Sequence, residues 1–151
     1  MNIRTYKMGR FASFNTDFEY KFVFGIQPSE DITKFGGEVN DTDDEEYNSY
    51  YSGHCWTERD KSSILNILNS FGEGFVIPEF SDYENNIEGT YDMYNDLLGQ
   101  VPDHNDVYER ENGNDEGNGS DRVVTFFEFV LGCLIYHQLL YEPDLYVQYE
   151  L

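Results

Sequence analysis

The sequence predicts an α+β fold: a small antiparallel sheet, formed by an N-terminal hairpin and a C-terminal strand, packed with about three helices. Three observations lead there. Phe18, Tyr20, Phe22 and Phe24 near the start, and Leu145, Val147 and Tyr149 at the end, alternate with polar neighbours at the period of a half-buried strand. Between them, Ile64, Ile67, Leu68 and Phe71 recur at helical spacing. A chain of 151 residues with 17% aromatics has enough large side chains for one core and too little length for two comfortable ones, so residues 1–151 are expected to be a single domain.

In chain order, residues 2–8 read as a weak first strand, with Gly9–Asn15 turning back into the stronger strand within 14–26. A short helix follows Pro28-Ser29 and stops at Gly36-Gly37. Glu38–Glu46 is acidic and reads as loop. Thr57 with Asp60 opens a helix that runs to Gly72. Ser81 with Glu84 has the form of a capping box, placing Tyr83, Ile87, Tyr91, Tyr94 and Leu98 on one face of a helix ending near Gly99. Val101–Asp121 collapses to Asn, Asp, Glu and Gly, the chemistry of loops; flexible acidic loops are expected near 38–47 and 102–121. Val123–Leu140 is apolar all round, as a central helix is, although its β-branched and aromatic start also suits a strand. Pro143 ends it, and the last strand follows, able to pair with the N-terminal hairpin.

The charge is the unusual feature. Nine Lys and Arg face 30 Asp and Glu, a formal net charge of -21, with a sequence pI near 4.1. Such a chain is a poor ligand for a phosphate backbone. Residues 1–34 are nearly balanced at +1, while the remaining 117 carry -22. Ten acids and no Lys or Arg lie between residues 62 and 109. Glu84, Glu88, Asp92 and Asp96 are each four apart and would line one helix face, where each like-charged pair costs about 0.2–0.5 kcal/mol. Folding alone supplies no reason for that, since alternating Glu and Lys would solubilise the helix equally well and stabilise it. A solvated acidic face inherited from biased composition is the plain alternative.

The functional expectation is a partner-binding surface built from this stripe and from Asp43, Asp44, Glu45 and Glu46, with neighbouring tyrosines as apolar anchors. A globule of this length is roughly 38 Å across, and duplex DNA of that length carries about 22 charges, close to the -21 here. In size and composition the chain is similar to the DNA-mimic inhibitors that phages and other mobile elements direct against restriction enzymes, CRISPR effectors or chromatin proteins. That resemblance implies a non-catalytic protein with a basic, nucleic-acid-binding partner and no cofactor. Head-to-tail self-association is a further expectation, from the +1 start against the -22 remainder.

Other chemistry is less well supported. Asp41, Asp43 and Glu45 copy the start of a calcium loop, but Glu46 stands where the turn needs Gly. Asn112, Asn114 and Glu116 lack a closing acid, since Val123 holds that position. His54, Cys55, Cys133 and His137 match no common zinc spacing, and two cysteines make no disulfide framework. Gly72-Glu73-Gly74 lacks the rest of a phosphate loop. Val123–Tyr141 is of borderline length for a membrane span and has acidic residues on both sides. No apolar run follows the basic start as a secretory signal would, so a cytoplasmic protein is expected. A small carboxylate-dependent hydrolase stays open as the alternative function, with Glu128 the one acid in strongly apolar surroundings.

Overall fold

Alternating aromatic residues at both chain ends build a shared sheet, and the elements between them cover one of its faces. The computed structural model describes residues 11–22, 28–39, 51–101 and 118–150. Five antiparallel strands are formed by β1 (Phe11–Phe14), β2 (Glu19–Lys21), β3 (Glu38–Val39), β4 (Tyr51–Thr57) and β5 (Asp144–Glu150), in the order β2-β1-β5-β4-β3. The helices are α1 (Pro28–Thr33), α2 (Lys61–Asn69), α3 (Ile87–Leu98) and α4 (Asn118–Leu139). The α+β class is therefore as the sequence predicts, including the pairing of the C-terminal strand with the amino-terminal hairpin.

Ala12, Phe14, Phe18, Tyr20 and Phe22 from the hairpin, Trp56 from β4, and Leu145, Val147 and Tyr149 from β5 are all buried. Ser13, Glu19, Lys21 and Gln148, which alternate with them, are exposed. One face of the sheet thus meets the helices and the other meets water.

The hairpin departs from expectation in register. Gly9–Asn15 was expected to be the turn, yet Phe11–Phe14 is β1 and the chain reverses at Asn15–Phe18. Asp17 supplies the left-handed backbone there, at φ 73°, a conformation that Asp tolerates better than most residues. Asn15 then ties the turn to β5: its side-chain amide donates to the Asp144 carbonyl at 3.0 Å, and its Oδ1 accepts from the Tyr146 amide at 2.9 Å. The expected strand over 2–8 lies outside the described residues.

Strand β4 was not foreseen. Its sequence, Tyr-Ser-Gly-His-Cys-Trp-Thr, shows little apolar alternation, but it pairs along its whole length with β5. The Trp56 indole N–H donates to the Phe35 carbonyl at 3.1 Å, and His54 Nε2 meets the Gly36 carbonyl at 2.6 Å. These bonds fasten the end of α1 to the sheet. Gly36 and Gly37, at φ 79° and 80°, make the reversal after α1 that the sequence predicts. Glu38 and Val39, expected to be loop, form the edge strand β3 against β4.

Helix α2 starts as predicted, with the Asp60 carboxylate accepting the Thr57 amide at 2.8 Å and Ile64 and Leu68 buried. Helix α4 begins at Asn118, earlier than the predicted Val123 and in a stretch expected to be loop; its β-branched start is helical and not strand. Among the described residues, no helix is long and apolar enough to cross a membrane.

Candidate functional site

Helix α3 carries the acidic stripe, but it starts later than predicted. Ser81 lies in a short 3₁₀ turn, Phe80–Asp82, and the cap is Asn86, whose Oδ1 accepts the Gly89 amide at 2.8 Å. Asn is as good a cap as Ser, and Gly89 decides between them. A Cβ on residue 89 would stand 2.0 Å from the Glu84 carbonyl oxygen, so only glycine lets the Glu84–Asn86 segment fold back on the first helical turn. Glu84 is consequently off the helix, with its carboxylate accepting the Asn86 side-chain amide at 3.0 Å.

Gly89, Thr90, Met93 and Leu97 are the fully buried positions of α3, and of the predicted row Tyr83, Ile87, Tyr94 and Leu98 are half-buried against the core while Tyr91 is not. Tyr91 is exposed; its ring packs on Phe18, with centroids 4.5 Å apart, and its hydroxyl accepts the Glu19 amide at 3.2 Å.

Glu88, Asp92 and Asp96 keep their four-residue spacing on α3 and are all exposed, as are Glu73, Glu79, Asp82 and Glu84. Tyr83 shows that part of this set is gathered in one place. Its hydroxyl donates to Asp96 Oδ2 at 2.7 Å. That bond, some burial, and the charges of Asp96, Asp82 and Asp92 push the phenol up to about 12. Three carboxylates therefore act on one tyrosine, two from α3 and one from the turn before it. Asp96 sits in the last turn, where the helix dipole disfavours an anion, and the Tyr83 bond offsets part of that cost. Asp43, Asp44, Glu45 and Glu46, the other predicted site residues, lie outside the described residues.

A second group of acids is internal. Asp31 on α1 is fully buried, and neither carboxyl oxygen has a hydrogen-bond donor. Glu128 of α4, half-buried, is close enough for its charge to act on it. Burial first, and then Glu128, raise the Asp31 carboxyl to about 8, against a weaker pull from Lys34. The sequence singles out Glu128 and overlooks Asp31; the available signal was an acid four residues before Phe35 and beside Ile32, on the apolar face of a short helix. Fully buried, Asp31 is out of a substrate's reach in this fold.

The cysteine and histidine residues do not assemble. His54 and Cys55 are neighbours on β4 and point to opposite faces. Cys133 and His137 are buried on α4, where burial pushes the Cys133 thiol up and the His137 ring down. His137 Nδ1 meets the Thr90 hydroxyl at 2.7 Å, and Thr90 also bonds the Tyr141 hydroxyl at 3.1 Å, a polar tie between α3 and α4. Among the described residues, no group of three or more His, Cys, Asp or Glu could hold a metal ion. Comparison with models of protein families, with curated proteins and with solved structures finds no match, so the functional argument rests on this chain's own residues.

Proposed function

We propose that the chain is a non-catalytic acidic binding protein of the DNA-mimic type, which docks its carboxylate face on a basic, nucleic-acid-binding protein in the cytoplasm and blocks or modulates it. The observation that carries this reading is the grouping of Asp82, Asp92 and Asp96 around Tyr83, continued by Glu88 along α3, in a stretch of sequence without a Lys or Arg. Charges that repel one another on a short helix are costly to keep, and a cationic partner would relieve that repulsion. Tyr83 and exposed Tyr91 offer the flat, amphipathic contact area that interfaces favour.

Binding of this kind is steered by long-range charge and weakens steeply with salt. Competition tests it. Complexes with candidate nucleases or chromatin proteins should be displaced by duplex DNA and lost at high salt. A tight complex that survives saturating DNA would mean that the two ligands do not share a surface.

A further inference from the structure

A buried histidine of α4 lies directly behind the acidic face. His137 is fully buried and touches the elements of that face at two points. Its Nδ1 is 2.7 Å from the hydroxyl of Thr90, which stands on α3 between Glu88 and Asp92 in sequence. Its ring meets the Tyr83 ring edge to face, with centroids 6.4 Å apart, and Tyr83 is the residue whose hydroxyl bonds Asp96. Tyr141, just past α4, packs on it from another side, with centroids 5.8 Å apart.

Counting protons fixes the state of the ring. The Thr90 hydroxyl has one proton and donates it to the Asn86 carbonyl at 3.2 Å. Its oxygen then accepts from His137 Nδ1–H and from the Tyr141 hydroxyl. The neutral imidazole therefore carries its proton on Nδ1, and a second proton goes to Nε2. That atom is buried and has no hydrogen-bond partner among the described residues. Tyr83 from the turn before α3, Thr90 from α3 and Tyr141 are all uncharged through the acid range, so they give an imidazolium no counter-charge. Burial pushes the ring down from its ordinary value, with the backbone of Tyr83 and Glu84 pulling the other way. A cation made there is relieved when water reaches it, and the cover over it is slight. The backbone bonds of the Tyr83 segment are local, Asp82 to Glu79, Tyr83 to Phe80 and Asn86 to Glu84, while Phe80 anchors its start on the Tyr136 ring.

We propose that His137 is a positioning residue for the acidic face and makes that face acid-labile: neutral, it seats Thr90 and Tyr83; protonated, it releases the Tyr83–Asn86 segment and with it the Tyr83–Asp96 bond. The consequence for docking rests on the function proposed above. A partner held at neutral pH is released at mildly acid pH, while carboxylates with ordinary values of about 4 still carry their charge.

The test uses the full chain without a partner, so its failure and that of the docking reading are distinguishable. As the pH falls from about 7.5 to about 5, the imidazole nitrogen-15 resonances of His137 are followed alongside hydrogen exchange of the Gly89 and Thr90 amides, which bond Asn86. In wild type the ring should start in the Nδ1–H form and titrate below its ordinary value of 6.5. Exchange, corrected for its intrinsic pH dependence, should quicken about tenfold or more across that titration. His137→Asn places an amide N–H near the position of Nδ1 and does not titrate, so its exchange should show no such step. A ring that titrates at or above its ordinary value, or is still neutral at the acid end, would overturn the proposal. So would wild-type exchange that stays constant while the ring titrates, or the same step in His137→Asn. The wild-type measurements decide the matter even if the variant fails to fold.

Discussion

Replacing Asp31 by Asn should make the protein more stable at alkaline pH, and the size of the gain follows from the burial. The Asp31 carboxyl lies near 3.8 in the unfolded chain and is raised to about 8 in the native one. Between those values the native state holds a proton that the unfolded state has released, so stability falls as the pH rises. It is intact below about pH 4 and fully lost by about pH 8. At about 1.4 kcal/mol per unit, the loss is on the order of 6 kcal/mol, comparable to the whole stability of many domains. Asn has almost the same shape and carries no charge. Urea unfolding of both proteins at pH values from about 4.5 to 8.5 measures the effect. The difference in midpoint should be small at the acid end and should grow steadily in favour of Asp31→Asn. Repulsion among the other acids, and His137, whose lowered value works with the opposite sign, act in both proteins and cancel in the difference. Parallel curves for the two proteins would refute the buried-proton reasoning.

Other consequences are independent of Asp31. Asp96→Asn should bring the Tyr83 phenol down from about 12 toward its ordinary value, visible as an earlier tyrosinate absorbance change on titration; an unchanged titration would place Asp96 away from Tyr83. Asp92→Lys should stabilise α3 by about 1 kcal/mol, since it turns repulsion with Glu88 and Asp96 into attraction, while weakening partner binding; the two readouts are the thermal midpoint and a pull-down. Gly89→Ala should destabilise by about 2 kcal/mol or more, as its methyl meets the Glu84 carbonyl; a neutral effect in urea unfolding would mean that the Glu84–Asn86 segment moves aside freely.

Much of the fold is legible in the sequence because alternation and helical spacing report which face is buried. Phe18, Tyr20 and Phe22 point inward as their period predicts, and so do Leu145, Val147 and Tyr149. The gaps arise where local signals compete. Ser81 with Glu84 and Asn86 with Gly89 are both credible helix starts, and the choice depends on a close approach between Gly89 and Glu84 that no periodicity reveals. Strand β4 hides because Gly53, His54 and Cys55 take their place in the sheet from the partner β5, not from their own pattern. Of the acidic stripe, Glu88, Asp92 and Asp96 stand as the four-residue spacing implies, and Glu84 falls away with the shifted start. The burial of Asp31 depends on packing against elements far away in sequence, over which composition and spacing carry no information.

The claim that the carboxylates of α3 form a docking face is tested most directly by neutralising them together. The variant Glu88→Gln, Asp92→Asn, Asp96→Asn keeps side-chain shapes and removes three charges from one face. In affinity capture from the native host at low salt, wild type should retain a basic, nucleic-acid-binding protein that added duplex DNA releases, and the variant should lose it. Equal capture by the two proteins, with the same dependence on salt, would contradict the account.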